Sequence, residues 1–262
     1  MAAEEKRTFK LGICDWSIGR CQDPSALELA ARAGLDGVEV SFNGGPKFDL
    51  REGTVRDQYR AAAEKHRVEI CSLAMGVLNR VPYASDPRAP RWVEESIGVM
   101  EKMGVRVILL AFFSAGDIKG DRELQANVIR NLKKVAPRAE KAGVTLGLES
   151  WLNAEEHMRI LDAVDSEAVK VYYDVYNMAQ RGYNISKEIR QLENRICRFH
   201  MKEGNNRLLG QGIVDFPKVR DAIAAIGYRG WLVMEGATVK NRSAVECHRD
   251  NQRYLRSLFS AS

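Results

Sequence analysis

Short runs rich in β-branched and aromatic residues alternate with longer amphipathic stretches along almost the whole chain, and this alternation restricts the fold more than any other feature. Eight runs are predicted to be strands: 11–16, 37–42, 69–75, 105–112, 144–151, 169–174, 196–202 and 231–235. Eight amphipathic stretches are predicted to be helices: 24–33, 54–66, 89–103, 122–142, 154–163, 186–193, 216–226 and 243–259. Strands that alternate with helices in this way are typical of a parallel sheet covered by helices.

Glycines mark the junctions between these elements. Four predicted helices end at a glycine that can take the left-handed C-cap conformation: Gly34, Gly104, Gly143 and Gly227. Eight strand–helix units in 262 residues match the size of a closed barrel, so we predict one domain over residues 1–262, a (β/α)8 TIM barrel of the α/β class. The alternative is a doubly wound open sheet. It usually has a glycine-rich phosphate loop after its first strand, and residues 14–19 (CDWSIG) do not form one.

The composition excludes several classes of function. The formal net charge is +5, from 40 basic and 35 acidic residues, without a long basic run, so we expect no nucleic-acid partner. No segment approaches about 18 consecutive apolar residues, and residues 1–10 lack an apolar core, so we expect neither a membrane partner nor a signal peptide. The five cysteines are irregularly spaced, which favours free thiols and a cytoplasmic protein. The sequence does not define the oligomeric state and is compatible with a homo-oligomer.

Each of the last four predicted strands ends in one side chain that can ligate a metal. These side chains are Glu149, Asp174, His200 and Glu235. The carboxyl ends of barrel strands meet at one rim, where barrel enzymes build their active sites. Carboxylates about 4 Å apart repel each other by about 4 kcal/mol per pair at an effective dielectric constant of about 20. A bound dication removes this cost, whereas the alternative is protonation of two of the acids.

The predicted ligand set consists of three carboxylates and one imidazole. It suits a single divalent metal ion, with Mn²⁺ expected first and Mg²⁺, Co²⁺ or Zn²⁺ as alternatives. A thiolate-rich zinc site is excluded because no cysteine belongs to the set.

Two charged residues are expected beside these ligands. Lys202 lies two residues after His200, and therefore on the same face of its strand. It would contact a substrate oxygen or pair with a neighbouring acid such as Glu203. Glu39, near the end of the second predicted strand, would hydrogen-bond the substrate or form a structural ion pair.

Aromatic residues follow several strands. Trp16 and Trp151 would form a flat apolar wall for the C–H face of a sugar, or would cap the barrel. The pair Phe112–Phe113 is expected to serve ordinary packing. The polar loop 116–121 is expected to act as a lid because of its length.

Two segments carry a resemblance to a known family. They are residues 199–203 (FHMKE) and 209–216 (LGQGIVDF). The chain resembles the xylose isomerase-like barrels over nearly its whole length, a family of sugar phosphate isomerases and epimerases that includes ketose 3-epimerases and inosose dehydratases. Members bind one divalent metal ion through Glu, Asp, His and Glu at these strand ends. The resemblance implies those roles for Glu149, Asp174, His200 and Glu235.

Two positions depart from the ketose 3-epimerase pattern. Asn177 stands three residues after the metal-binding Asp, where these epimerases commonly have a His that holds the substrate. Arg207 is the candidate for the Arg that they place after the metal-binding His, although its spacing differs. We expect both residues to contact the substrate. Endonuclease IV, a relative on the same barrel, needs a histidine-rich trinuclear zinc site, and this chain has only four histidines. Three of them lie in predicted helices: His66, His157 and His248.

The resemblance and the ligand set together imply a metal-dependent isomerase or epimerase of a keto-sugar or sugar phosphate. Such an enzyme removes a proton next to a carbonyl and forms an enediolate that the metal stabilises. Glu149 and Glu235 come from different strands and are expected to take and return this proton. Two alternatives stay open: an inosose-type dehydratase (a lyase) with the same metal and carboxylates, and a non-catalytic barrel that binds a sugar.

Overall fold

Eight parallel strands form a closed barrel in the computed structural model, which describes residues 9–43, 47–204 and 206–259. Each strand pairs with the next one along the chain, and β8 pairs with β1 to close the ring. The strands are β1 (Lys10–Cys14), β2 (Gly37–Ser41), β3 (Glu69–Met75), β4 (Val107–Phe112), β5 (Thr145–Ser150), β6 (Val169–Asp174), β7 (Ile196–Glu203) and β8 (Trp231–Gly236). The predicted (β/α)8 barrel is therefore confirmed.

Helices cover the outside of the barrel. In the described ranges they are α1 (Ala26–Ala33), α2 (Gly53–His66), α3 (Arg88–Met103), α4 (Arg122–Ala142), α5 (Ala154–Val164), α6 (Val175–Gln180), α7 (Ile185–Leu192), α8 (Phe216–Ala225) and α9 (Ala244–Phe259). Apart from α6, each helix agrees with its predicted bounds to within two residues, because each has an apolar stripe that packs on the barrel.

The short helix α6 is absent from the prediction. It begins directly after Asp174, whose Oδ1 accepts hydrogen bonds of 2.8 Å from the backbone N–H groups of both Tyr176 and Asn177. An aspartate in this position caps a helix by accepting from its first free N–H groups. Six residues are too few to show a helical period in the sequence, so only the cap could have indicated α6.

Three strands end earlier than predicted, β2 by one residue at Ser41. β1 stops at Cys14, whose carbonyl accepts from the backbone N–H of Ser17 at 3.0 Å and so turns the chain away from the sheet. β5 stops at Ser150. As a consequence, Trp16 and Trp151 belong to the loops above the barrel and not to its strands.

Side chains along each strand alternate between the two faces of the barrel wall. In β7, Phe199 and Met201 pack in the apolar layer between strands and helices. The residue between them, His200, therefore faces the barrel interior. A separate apolar cluster fills part of this interior: Ala74, Val107, Leu109, Ala111 and Tyr172. The same alternation directs the predicted metal ligands inward.

The end of the barrel opposite these ligands is plugged by Trp231 of β8. Gly37 faces this indole, and a Cβ atom at Gly37 would lie 2.6 Å from two of its ring carbons. Such an approach lies well inside van der Waals contact, so only glycine leaves room for the plug.

Two expectations from composition can be compared with the fold. All five cysteines are free thiols. None of the helices in the described residues combines the length and the apolar character needed to cross a membrane.

Two of the helical histidines are buried and neutral. His157 of α5 has 2% of its surface exposed and donates from Nδ1 to the carbonyl of Asn153 at 3.1 Å. His248 of α9 is fully buried and donates from Nε2 to the carbonyl of Ser17 at 3.1 Å. Burial lowers the pKa of each imidazole from 6.5 to about 4. Between about pH 6.5 and pH 4, both imidazoles therefore take up a proton in the unfolded chain but stay neutral in the folded one.

We expect these two histidines to destabilise the fold as the pH falls below about 6.5, because the unfolded chain then binds two more protons than the folded one. At pH 4.5 each would lower the free energy of unfolding by about 2 to 3 kcal/mol. Urea unfolding of the wild type and of the H157Q/H248Q variant between pH 7 and pH 4.5 measures the effect. The variant should lose less stability over this range, and parallel curves would contradict the assignment.

A candidate metal centre at the carboxyl ends of the strands

Four side chains from β5 to β8 converge at the carboxyl end of the barrel. One ligand atom each from Glu149, Asp174, His200 and Glu235 lies within 4.8 Å of the other three. The imidazole Nδ1 of His200 is 2.9 Å from Oε1 of Glu149 and 3.3 Å from Oε2 of Glu235. The structure thus brings together the four residues that the sequence predicted as ligands.

Two carboxylate oxygens in this cluster are buried without a well-aligned hydrogen bond to the described residues. They are Oδ2 of Asp174 and Oε2 of Glu235. The cation beside them is Lys202, whose Nζ lies 2.9 Å from Oε2 of Glu235 and 3.4 Å from Oδ2 of Asp174. Buried carboxylate oxygens need a partner, and hard divalent ions prefer such oxygens. The three carboxylates and the imidazole therefore fit one divalent ion.

The three carboxylates titrate differently. Burial raises the pKa of Asp174 to about 7 against the opposing effect of Lys202. Burial also raises the pKa of Glu149, although His200 opposes it. For Glu235, burial is outweighed by Lys202 and His200, which lower the pKa to about 2. Lys202 and His200 thus do not keep all three acids ionised at neutral pH, and a further positive charge at the cluster would do so.

Glu39 lies behind His200, away from the other acids. Its Oε1 is 2.9 Å from Nε2 of His200, and its Oε2 accepts hydrogen bonds from Ser72 (2.6 Å) and Tyr172 (2.8 Å). Burial would raise the pKa of Glu39, but His200 and the two hydroxyls outweigh this and lower it. Because both oxygens contact protein groups and the side chain is 0% exposed, the geometry favours the structural pair over the substrate contact.

A cavity of about 480 Å³ opens above the cluster. Four of the predicted residues line it together with the carboxylates of Glu149 and Glu235: Trp16, Trp151, Asn177 and Lys202. The sequence indicates no role in the site for several other lining residues: Ser41, Asn43, Asn79, Arg80, Phe113 and Gln180. Ser41 is the last residue of β2 and Gln180 the last residue of α6. The other four lie in the segments that follow strands, where side-chain direction does not follow a period.

Aromatic rings form one part of the cavity wall. Trp16 also donates from Nε1 to Oε1 of Glu235 at 3.3 Å. The rings of Phe113 and Trp151 meet edge to face at 5.3 Å, and the guanidinium of Arg181 lies 4.1 Å above Trp151. Phe113 packs against the apolar cluster of the barrel interior and also lines the cavity, whereas its neighbour Phe112 is fully buried in the core. The two residues differ because adjacent side chains at a strand end point to opposite faces.

Lys202 pairs with the metal-site acids and not with Glu203. The carboxylate of Glu203 instead accepts hydrogen bonds from the backbone N–H groups of Gly204, Ile213 and Val214. It therefore fixes the segment that carries part of the family motif. This leaves the Lys202 ammonium at the cavity wall.

Two further expectations are not supported at the cavity. Arg207 is exposed and donates to the carbonyl of Gln211 at 3.0 Å, and it is absent from the lining formed by the described residues. The loop 116–121 is also absent from this lining, and its Ile118 is 1% exposed, which anchors the loop against the core. Asp15 is buried, accepts from both the N–H and the hydroxyl of Ser41, and so has a structural role. Burial raises its pKa to about 6.

The family model described as "Xylose isomerase-like TIM barrel" matches residues 27–258. The chain belongs to this family. An L-ribulose 3-epimerase of Mesorhizobium japonicum is 31% identical over 234 residues, which are 84% of this chain and 78% of that protein. A D-psicose 3-epimerase of Enterocloster bolteae is 32% identical over 127 residues, 45% of this chain. This match spans only 41% of the length of that epimerase.

Solved structures of the family share the fold at lower identity. An L-ribulose 3-epimerase superposes with a TM-score of 0.79 at 19% identity, covering 97% of this chain and 95% of that one. A D-allulose 3-epimerase from Methylomonas sp. in complex with D-allulose gives a TM-score of 0.78 at 18% identity, covering 95% and 96%. These similarities establish the same barrel architecture.

Proposed function

We propose that this xylose isomerase-like barrel is a divalent-metal-dependent epimerase or isomerase of a keto-sugar or sugar phosphate. One observation carries the proposal: Glu149 and Glu235 belong to the candidate metal centre and also line the cavity. A substrate beside the ion would therefore contact two carboxylates that come from different strands. The similarity to an L-ribulose 3-epimerase supports a ketose as substrate.

The residues divide into two roles. Asp174 and His200 would hold the ion, together with the carboxylates of Glu149 and Glu235. A dication, when bound, supplies positive charge beside the substrate oxygen on which negative charge develops. One of the two glutamates takes the proton from the carbon next to the carbonyl, and the other returns a proton to the opposite face. For an isomerisation, a single glutamate performs both transfers.

The remaining cavity residues bind and orient the sugar. The rings of Trp16, Phe113 and Trp151 offer flat apolar surfaces to its C–H faces. Asn177 and Lys202 present hydrogen-bond donors to its oxygens. The acids themselves are enclosed, with Asp174 1% and Glu149 5% exposed, which limits their contact with bulk water.

A dehydratase of the inosose type is the second candidate. Asn177 lines the cavity at the position where ketose 3-epimerases commonly have a substrate-binding His. Loss of that His favours a different substrate, and a lyase shares the first proton abstraction before it expels a β-hydroxyl. The two functions differ in whether the product keeps the mass of the substrate.

The function is tested by incubating the Mn²⁺-loaded protein in D₂O with separate ketoses, ketose phosphates and inososes, followed by NMR and mass spectrometry. The expected result is deuterium on a carbon next to the carbonyl and formation of an isomer of equal composition. Loss of one water molecule would establish the lyase instead. A sugar that raises the melting temperature without any deuterium exchange would contradict both and would favour a sugar-binding protein.

A further inference from the structure

The imidazole of His200 lies between Glu39 on one side and the acids of the candidate metal centre on the other. Its Nδ1 faces the metal centre, 2.9 Å from Glu149 and 3.3 Å from Glu235. Its Nε2 faces the opposite way, 2.9 Å from Oε1 of Glu39. The partner of Nε2 therefore decides both the orientation of the ring and which nitrogen carries the hydrogen.

Glu39 is fixed by contacts from two other strands. Ser72 of β3 and Tyr172 of β6 donate to its Oε2, which leaves Oε1 to His200. An ionised carboxylate only accepts hydrogen bonds. Facing such an acceptor, Nε2 donates its hydrogen to Glu39, so Nδ1 is the only ring nitrogen that could offer a lone pair to an ion where Glu149 and Glu235 converge. This is the tautomer that a metal ligand at Nδ1 requires.

Cys14 offers an alternative interpretation of the same place. Its Sγ lies 3.4 Å from Nε2 of His200 and 3.5 Å from Oε1 of Glu39, so these three residues have the spacing of a second metal site. All three are 0% exposed, and none lines the described cavity. An ion there would lack an entry path and would require His200 to give up its Nε2 hydrogen. The arrangement fits a hydrogen bond better than a second ion.

We propose that Glu39 is a positioning residue of the metal centre, which holds His200 in the Nε2–H tautomer and directs Nδ1 at the ion. Ser72 and Tyr172 act through Glu39 by keeping its carboxylate in place. The proposal rests on the metal site of the proposed function but not on the reaction carried out there.

The test is Mn²⁺ binding by the full-length E39Q variant. Calorimetric titration of MnCl₂ into the metal-free proteins should show about 10- to 100-fold weaker binding by E39Q than by the wild type. Y172F should show a smaller loss. C14A is the matched control, because Cys14 contacts the same imidazole nitrogen and is equally buried, and its affinity should remain that of the wild type.

Long-range ¹⁵N NMR of the Mg²⁺-loaded wild type, which has only four histidines, should show the Nε2–H form of His200.

Two results would overturn the proposal. One is an Mn²⁺ affinity of E39Q equal to that of the wild type. If E39Q does not fold, an Mn²⁺ affinity of Y172F equal to that of the wild type would overturn the proposal in its place. The other is a wild type that binds two ions per chain where E39Q binds one, which would make Cys14, Glu39 and His200 ligands of a second metal. Because the readout is ion binding, a protein that turns over no sugar but loses Mn²⁺ affinity in E39Q would refute only the proposed function.

Discussion

Exchanging Glu149 or Glu235 for Gln, in separate variants, is expected to lower the epimerisation rate by about 10²- to 10⁴-fold, the usual contribution of a positioned acid or base. A glutamine has nearly the shape of glutamate but cannot accept the proton. If the two carboxylates serve opposite faces of the reacting carbon, the variants should fail in complementary ways. E149Q should still exchange the proton of one epimer with D₂O, and E235Q that of the other.

Both glutamates also belong to the metal cluster, so loss of the ion must be separated from loss of the base. The amide oxygen of Gln remains a ligand, and saturating MnCl₂ with metal analysis of each variant shows whether the ion is retained. E69Q is a suitable control, because Glu69 lies at the other end of the barrel in an exposed ion pair with Lys10, and exposed pairs contribute little. Unimpaired proton exchange in both metal-loaded variants would show that neither glutamate is the base.

The sequence predicted the ligand residues because their placement follows from local patterns. Glu149, Asp174, His200 and Glu235 each end an apolar run, and parallel strands of a barrel bring such ends to one rim. The inward direction of these side chains then follows from the two-residue period of a strand. A prediction of this kind needs only the strand count and the strand ends, both of which the alternation of elements supplies.

The role of Glu39 depends on contacts across the barrel, which no local pattern contains. Its partners Tyr172 and His200 are 133 and 161 residues away in the chain. The sequence therefore showed that Glu39 is near the rim but not which of its two roles applies. Asp174 gives a related case, since the same carboxylate belongs to the metal cluster through one oxygen and caps α6 through the other.

Loop residues were the least predictable. Arg207 and the loop 116–121 were assigned to the site from motif position and length, yet neither lines the cavity in the described residues. Arg80 and Asn79 do line it, without any signal in the sequence. Backbone geometry in a loop has no fixed period, so the direction of a side chain there is set by packing that only the folded structure reveals.

Lys202 is expected to stabilise the metal-free fold, and the stability of the K202M variant should therefore depend more strongly on metal than that of the wild type. The ammonium lies 2.9 Å from Glu235 and 3.4 Å from Asp174. Although burial opposes it, these two acids keep the pKa of Lys202 above its usual value. Methionine has a similar length without the charge, so K202M leaves the acids without this cation.

In EDTA, K202M should lower the free energy of unfolding by about 3 kcal/mol, the lower end for loss of one partner of a buried ion pair. The lower end applies because 22% of the Lys202 side chain is exposed. Mn²⁺ at about 100 times its dissociation constant should raise the free energy of unfolding of K202M by about 2.7 kcal/mol. The variant should also bind Mn²⁺ more tightly than the wild type, since Lys202 and a dication repel each other at the same oxygens.

Urea unfolding in EDTA and in MnCl₂, with calorimetric titration of the metal-free proteins, measures both effects. K218M is the matched control, because Lys218 forms an ion pair of 2.6 Å with Asp215 on the exposed surface of α8. It should unfold like the wild type in both buffers. If K202M instead binds Mn²⁺ more weakly than the wild type, Lys202 does not compete with the ion but holds Asp174 and Glu235 in the geometry that receives it.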